Sequence, residues 1–191
     1  LVLYALLLVA YRFWFGHLRT LTFDTITTPL TRFSIIIPAR NEQDNIANCI
    51  KSIVQQSYPT DLYEIIVIDD FSEDNTALIV QGLQAQFSNL RLLQLKDYYK
   101  PYELNAFKIK AIEKAVSQAT GDWIVTTDAD CIVPKHWLGL YDQYIVKHQP
   151  VFVAAPVMFI KTNGFLNQFQ KCWLTMKHCL IYRLITLVSC H

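Results

Sequence analysis

The sequence predicts an α/β domain with a mostly parallel β-sheet flanked by helices. From Arg32 to Val157, short runs rich in β-branched residues alternate with amphipathic stretches of helical spacing. The 191 residues are 52% apolar, which suffices for one domain with a sizeable core and excludes general disorder. Two of the apolar runs end in carboxylates, and in open α/β sheets ligands bind beyond the carboxyl ends of the strands.

The first segment, residues 1–20, is predicted to be the end of a transmembrane or interface helix, followed by a linker at residues 21–32. Leu1 to Tyr11 is an uncharged apolar run, and Arg12, three aromatic residues and Arg19 follow it, as at a membrane interface. At about 1.5 Å per residue it covers roughly half of a hydrocarbon core about 30 Å thick, so it spans only if residues upstream are missing. The positive-inside tendency places the next domain in the cytoplasm. A buried N-terminal helix of a soluble protein is the alternative.

The first strand is predicted at Phe33–Pro38, a buried apolar run that the proline is expected to stop. Isoleucines at helical spacing then predict an amphipathic helix over Asp44–Gln56, with Asp44 near its start. Tyr58-Pro59 ends this helix, and Glu64–Asp69 is predicted to be the second strand.

The same alternation continues to residue 127 without an internal repeat or a low-complexity segment. It predicts, in order, a helix over 76–87, a strand over 90–95, a loop over 96–106, a helix over 108–119 closed by Gly121, and a strand over 122–127. We assign residues 33–160 to this domain.

Carboxylates follow two of the predicted strands, at Asp69-Asp70 and at Asp128-Ala129-Asp130. Parallel strands bring both groups to one edge of the sheet, where like charges repel unless a cation or hydrogen-bond donors offset them. Two carboxylates one residue apart suit Mg²⁺ or Mn²⁺ shared with a diphosphate, whereas zinc more usually recruits Cys or His. The alternative is a solvated acidic turn.

The charges are unevenly distributed, although the net charge is only +1. All 16 acidic residues lie at or before Asp142, and the chain beyond it carries five basic residues and no acid. A carboxylate-dependent reaction must therefore use the first three quarters of the chain. The balanced total argues against a nucleic-acid binder, which needs a concentrated basic patch. The five cysteines have no zinc-type spacing and indicate reduced thiols in a cytosolic domain.

Three ordered motifs give the sequence a family resemblance. They are Pro38-Ala-Arg-Asn-Glu42, Ile68-Asp-Asp-Phe-Ser-Glu-Asp-Asn-Thr76, and Ala119-Thr-Gly-Asp122 running into Asp128-Ala-Asp130. Over residues 33–157 the chain resembles the nucleotide-sugar half of a family 2 glycosyltransferase with the GT-A fold, a Rossmann-like α/β fold. The resemblance implies a transferase that takes a sugar from a nucleoside diphosphate donor, of UDP type, with Mg²⁺ or Mn²⁺.

The resemblance also implies roles for individual residues. Pro38, Ala39, Arg40 and Glu42 would border the nucleotide, largely through backbone groups. Asp70 would accept a hydrogen bond from a uracil-type base, and Lys108 would approach the diphosphate. Asp128 would contact the ribose or the metal ion, and Asp130 would ligate the metal. This chain has Phe107 where the family usually has the glycine before the lysine.

The family's usual general base, an Asp well after the Asp-x-Asp motif, has no counterpart here, so we expect the base to be missing from this chain. His148, His178 and His191 are less favoured substitutes. Residues 161–191 are interpreted as the truncated start of the acceptor-side region. Apolar residues over 165–190 predict a helix, either interfacial on an anionic leaflet or covered by a missing C-terminal part, and we favour the latter.

The sequence therefore predicts a membrane-anchored glycosyltransferase whose catalytic domain faces the cytoplasm and whose acceptor is a lipid-linked molecule or a glycan. A catalytically silent nucleotide-sugar-binding module is one alternative. A nucleotidyltransferase is another, although its usual glycine-rich first loop has no counterpart in Pro38–Glu42.

Overall fold

The computed structural model describes residues 6, 7, 9, 10, 13, 28–100, 107–155 and 185–189. The chain divides into two compact units. One comprises residues 23–153 and 186–191, and the other comprises residues 1–22 and 154–185.

Within the described residues the sheet has six strands, which confirms the predicted α/β class. They are β1 (Phe33–Ala39), β2 (Tyr63–Asp69), β3 (Leu90–Gln94), β4 (Trp123–Thr126), β5 (Phe152–Ala155) and β6 (Ile185–Ser189), in the spatial order β3-β2-β1-β4-β6-β5. The first four pair in parallel, with β1 between β2 and β4. β6 pairs antiparallel with β4.

Among residues 28–155, leaving out the undescribed 101–106, four α-helices alternate with the strands: α1 (Ile46–Val54), α2 (Thr76–Gln84), α3 (Phe107–Val116) and α4 (Trp137–His148). Ala111 and Ala115 of α3 pack on alternate residues of β1 and β2, among them Ile36, Ile66 and Ile68. Their neighbours in each strand point to the other face and are buried too, which explains the uninterrupted apolar runs. Small residues on α3 therefore let it lie close to the sheet.

Pro38 does not end β1 as predicted, because the strand continues to Ala39 and Pro38 pairs in register with Ile68. The carbonyl of Ile36 accepts from the amide of Thr127 on the β4 side. Since backbone groups alternate sides along a strand, the nitrogen of Pro38 also faces the β4 side. The pairing of β1 with β4 stops at Ile36, so the missing N–H of the proline breaks no ladder bond there.

Two features of the C-terminal quarter were not anticipated. α4 was not predicted, since its apolar residues carry a weak helical pattern. The predicted helix over 165–190 is wrong for Ile185–Ser189, which form a strand on the edge of β4. An apolar run of this length fits a buried strand as well as a helix, and pairing with β4 decides between them. The remainder of that helix lies outside the described residues.

The predicted transmembrane segment lies mostly outside the described residues. Residues 6, 7, 9, 10 and 13 are helical and exposed. Within the part of the chain that the structure describes, no helix has the length and apolar character needed to cross a membrane.

Glu64 ties together the amino edge of the sheet. Its Oε1 accepts from the Ser34 hydroxyl at 2.6 Å, the Thr120 amide at 2.6 Å and the Thr120 hydroxyl at 2.7 Å. Its Oε2 lies 2.6 Å from Arg91. Burial raises the pKa of Glu64, but these hydrogen bonds and the charge of Arg91 outweigh it and leave the pKa below its usual range. The side chain thus stays ionised and joins β1, β2 and β3 to the turn before β4.

Gly121 in this turn lies against the backbone of β1. Its amide donates to the Ser34 hydroxyl at 2.8 Å. A Cβ added here would lie 2.6 Å from the carbonyl carbon of Phe33 and 2.6 Å from the nitrogen of Ser34. Close approach of two backbones, and not a helix cap, therefore explains the glycine of the Ala119–Asp122 motif.

Candidate functional site

Three chain segments leave the carboxyl edge of the sheet side by side. They follow Ala39 of β1, Asp69 of β2 and Thr126 of β4. The Asp70 amide donates to the Ala39 carbonyl at 2.8 Å, so the turns after β1 and β2 start in contact. This edge brings together the acidic and polar motifs that the sequence singles out.

The turns after β1 and β2 interlock through side chains. The Asn41 amide donates to the Ser72 hydroxyl at 3.0 Å, and the Asn41 carboxamide oxygen accepts from the Glu73 amide at 2.9 Å. The Glu42 amide donates to the Thr76 hydroxyl at 2.8 Å, and Asp74 accepts from the Gln43 amide at 3.1 Å. The two motifs are therefore one structural unit.

This network also holds two residues in the left-handed backbone region, Asn41 with φ of 56° and Phe71 with φ of 52°. Asparagine tolerates this region, whereas a phenylalanine there is unusual and adopts it only where neighbouring contacts fix the backbone. The backbone just after Asp70 is therefore strained.

Asp70 is a buried carboxylate just beyond the end of β2. It is 6% exposed, and its Oδ1, like that of Asp69, has no hydrogen-bond partner among the described residues. Burial and the nearby charge of Asp69 raise the pKa of Asp70, while the charge of Arg40 opposes the rise. Buried acceptors are usually satisfied, so a ligand N–H donor would complete this site.

The Asp128-Ala129-Asp130 turn is anchored by its first carbonyl. That oxygen accepts from the amide of Cys131 at 3.1 Å and lies 3.7 Å from the sulfur of the buried Cys49. Ala129 is buried, Asp128 is half-buried and Asp130 is exposed. The turn therefore presents the two carboxylates at different depths.

Lys108, in the first turn of α3, contacts the Asp128–Asp130 segment directly. Its Nζ lies 2.7 Å from Oδ1 of Asp128. The lysine side chain is 63% exposed and that of Asp128 is 28% exposed, so the pair lies at the surface of the site. A positive charge thus stands beside the Asp-x-Asp motif.

The carboxylates of Asp128 and Asp130 suit a Mg²⁺ or Mn²⁺ ion that is shared with a bound ligand better than an ion held by protein side chains alone. Within residues 28–100, 107–155 and the shorter described stretches, no group of three or more His, Cys, Asp or Glu could hold a metal. Asp128 and Asp130 supply hard carboxylate oxygens, which these ions prefer. An ion held by only two side chains would need further oxygens from a ligand such as a diphosphate.

Asp142, the last acidic residue, is not placed to act as a general base. It is 3% exposed on α4, and its Oδ1 accepts from the amides of Leu30 and Thr31 at 3.2 and 2.9 Å. It therefore holds the chain that enters β1. His148 lies in the last turn of α4 with its ring 4.6 Å from that of Tyr144, and His178 and His191 lie outside the described residues.

Other predicted residues have structural contacts of their own. Pro38 and Ala39 form the end of β1, and the Glu42 carboxylate accepts from the side chain of Asn45 at 2.9 Å. The guanidinium of Arg40 lies over the ring of Phe107, 5.3 Å from its centroid. Sequence reasoning assigned no role to Phe107, because a residue 67 positions away carries no pattern that pairs it with Arg40.

A mostly parallel sheet with carboxylates and a lysine beyond its strand ends is typical of α/β proteins that bind ligands at that edge. The chain belongs to glycosyl transferase family 2, because the sequence model of that family matches residues 34–189.

Two individual proteins are similar to this chain in sequence or in structure. Glycosyltransferase AglE of Haloferax volcanii is 30% identical over 139 residues, which are 73% of this chain and 43% of that protein. Staphylococcus aureus TarS 1-349 in complex with UDP-GlcNAc has a TM-score of 0.57 at 25% identity, over 70% of this chain and 36% of that one.

A third protein supports the fold alone. Mannosyltransferase PcManGT from Pyrobaculum calidifontis, in complex with GDP-Man and Mn²⁺, has a TM-score of 0.67 at 20% identity, over 97% of this chain and 51% of that one. The chain thus spans less than half the length of AglE and of TarS 1-349, and about half of PcManGT.

Proposed function

We propose that this chain is the donor-binding part of a glycosyltransferase that transfers a sugar from a UDP-type nucleoside diphosphate to a lipid-linked or glycan acceptor. The observation that carries the proposal is that Asp70, Lys108 and the Asp128–Asp130 turn lie at the carboxyl edge of one sheet, with Lys108 in contact with Asp128. A UDP-GlcNAc complex of TarS supports a UDP-type donor. The two carboxylates of Asp128 and Asp130 support a divalent cation, because Mg²⁺ and Mn²⁺ prefer hard oxygen ligands.

The reaction would form a bond from an acceptor oxygen to C1 of the sugar and break the bond from C1 to the diphosphate oxygen. A bound Mg²⁺ or Mn²⁺, held by Asp130 and Asp128, would neutralise charge on the leaving diphosphate. Lys108 would add a second positive charge. Asp70 would orient the base by accepting its N–H, while the Pro38–Glu42 turn would border the nucleotide.

The proton of the acceptor must pass to a base. Asp142 is not available as that base, because its carboxylate holds residues 30 and 31. Because the family's usual acidic base after the Asp-x-Asp motif has no counterpart in this sequence, we propose that the base is missing from this chain and that C1 is inverted by direct displacement. A silent sugar-nucleotide-binding module would share the donor site without the base. The two differ in turnover, which is measured as donor hydrolysis and sugar transfer by this chain and by a protein extended at its C-terminus.

Metal-dependent nucleotide binding tests the site. Titration calorimetry with UDP and Mn²⁺ should give saturable binding that disappears when the metal is chelated. Asp130→Ala should weaken it by about tenfold or more, a loss typical even of the outer partners of a metal. Asp61→Ala is the matched control, because it removes an exposed carboxylate just before β2, at the opposite edge. Full binding by Asp130→Ala, or equal losses in both variants, would exclude this site.

We also propose that the N-terminal segment attaches the protein to a membrane, with the sheet domain in the cytoplasm. The support is the apolar surface of the described helical residues, in which Leu6, Val9 and Phe13 are more than half exposed. Flotation with phospholipid vesicles should recover the whole chain in the lipid fraction and leave a version lacking residues 1–20 behind. Equal recovery of both would contradict membrane attachment by this segment.

A further inference from the structure

The Asp-x-Asp motif lies in residues 127–136, the β4–α4 segment, which forms neither helix nor strand. An irregular segment has no regular ladder of backbone hydrogen bonds to fix its course, so its contacts with neighbouring elements decide where it lies. The amide of Val133 donates to the Ser52 hydroxyl at 3.1 Å. The amide of Leu138, at the start of α4, donates to the Gln56 side chain at 3.2 Å. The course of the chain after the motif therefore depends on the α1 region.

Ser52 and Gln56 belong to a row of polar contacts along one side of α1. They follow Cys49 at helical spacing, and the Gln56 amide donates to the Ile53 carbonyl at 3.1 Å, which extends the helical turn beyond α1. The Cys49 sulfur lies 3.7 Å from the Asp128 carbonyl oxygen. The Ser52 hydroxyl donates to the Cys49 carbonyl at 2.8 Å, which leaves its lone pairs for the β4–α4 segment. The row therefore contacts this segment from the motif onward.

Gln56 uses both ends of its carboxamide. The residue is only 9% exposed, and its Nε2 donates to the Pro134 carbonyl at 2.7 Å and to the Ser52 carbonyl at 3.3 Å. Its Oε1 accepts from the amide of Leu138 in the first turn of α4, where amides have no partner within the helix. Gln56 therefore fixes both the end of the β4–α4 segment and the start of α4.

We propose that Gln56, together with Ser52, is a positioning residue for the carboxylates of the Asp128–Asp130 turn. This inference rests on the proposed function. The segment is fixed before the turn, where the Thr127 amide donates to the Ile36 carbonyl at 3.1 Å, and after the turn by Ser52 and Gln56. Holding both flanks keeps the two carboxylates at one separation, as a metal ion with fixed ligand distances requires.

Gln56 acts through the backbone of the segment, since its partners there are Pro134 and Leu138 and not the carboxylates themselves. Without these bonds the segment would occupy more conformations, and ligand binding would have to order it at a cost in conformational entropy. A purely structural role would instead lower the stability of the domain and leave binding by the folded protein unchanged. Binding and stability measurements therefore distinguish the two roles.

Amide hydrogen exchange of the whole chain, read by peptide mass spectrometry, tests whether Gln56 holds the segment. Gln56→Met keeps the length and approximate volume of the side chain but removes its amide donor and carbonyl acceptor. Peptides that cover residues 128–138 should exchange about tenfold faster in this variant, as expected for the loss of one or two hydrogen bonds. Peptides that cover residues 38–42 should exchange as they do in the unaltered protein.

Titration calorimetry with Mn²⁺ in the presence of excess UDP tests whether the segment positions the carboxylates. Gln56→Met should weaken Mn²⁺ binding about tenfold, as the loss of an outer partner of a metal site does. Ser52→Ala removes one hydroxyl and should weaken it about fivefold, whereas Ser52→Thr keeps the hydroxyl and should restore it. The two variants of Ser52 decide the question if Gln56→Met does not fold.

Glu64→Gln is the matched control. It also removes side-chain hydrogen bonds, but at the amino edge of the sheet, so Mn²⁺ should bind it as it binds the unaltered protein. Unchanged exchange in residues 128–138, unchanged Mn²⁺ binding by folded Gln56→Met, an equal loss in Glu64→Gln, or equal losses in the two variants of Ser52 would each overturn the proposal. If the unaltered protein binds no Mn²⁺ in the presence of UDP, the proposed function itself fails. Thermal unfolding of each variant confirms that it is folded at the assay temperature.

Discussion

Replacement of Gly121 by alanine should destabilise the sheet domain strongly. The added Cβ would lie 2.6 Å from two backbone atoms of β1, whereas ordinary contacts start at 3.4 Å, so the turn must move by about 0.8 Å, the difference of the two. That movement stretches the 2.8 Å bond from the Gly121 amide to Ser34 to about 3.6 Å, beyond hydrogen-bonding range. Overpacking costs about 1–3 kcal/mol and each lost hydrogen bond about 1 kcal/mol, so we expect a loss of about 3 kcal/mol.

Thermal and urea unfolding, followed by circular dichroism, measure this loss. For a domain of this size about 3 kcal/mol corresponds to a melting temperature lower by roughly 6–12 °C. Gly82→Ala is the control, because Gly82 lies in α2 with no atom within 4 Å of its added Cβ, and alanine there should stabilise the helix by about 0.5–1 kcal/mol. If Gly121→Ala unfolds like the unaltered protein, the close approach of the turn to β1 is wrong.

Two further predictions concern ionisation. The pKa of Glu64 is lower in the folded state, so its contribution is fully present above its ordinary pKa of 4.5 and is lost as the pH falls through the folded-state value. Glu64→Gln should lower the free energy of unfolding by about 2 kcal/mol at pH 7, and the free energy should then fall less steeply at acid pH when urea unfolding is repeated at several pH values. An equally steep fall in the variant would contradict the role of this carboxylate. Burial raises the pKa of Cys49 to about 12, so maleimide at pH 8 should leave Cys49 unlabelled in the native protein, as read by peptide mass spectrometry, and label it after unfolding. Native labelling at the rate of the half-buried Cys131 would refute its burial.

Local patterns were sufficient to predict the central architecture. Uninterrupted apolar runs identified β1 to β4, because both faces of this sheet are covered and residues on both sides of each strand are buried. The carboxylates at strand ends predicted the edge of the candidate site, since parallel strands share one carboxyl edge. The ends of some elements differ by a few residues from the predicted ends. The helix α1 begins at Ile46 and not at Asp44, because residues 42–45 form a turn in which the Glu42 carbonyl accepts from the amides of Asn45 and Ile46.

Other assignments depended on contacts between distant segments. The strand β6 pairs with β4 across about 60 residues, and no local period distinguishes it from the predicted helix. Asp142 looked like the boundary of the acidic region, but its backbone hydrogen bonds make it a structural residue. The roles of Lys108, Asp128 and Asp130 in binding remain predictions, although Lys108 and Asp128 do meet.

The sequence by itself determined the α/β class, the family and the edge at which the acidic motifs gather, because these follow from short-range periodicity and from motif order. Only the tertiary structure decided that the motifs after β1 and β2 interlock, that Gly121 lies against β1, and that Arg40 lies over the ring of Phe107. The physical reason is that such contacts join residues whose separation along the chain carries no period. They arise only when parallel strands align their ends and helices pack across them.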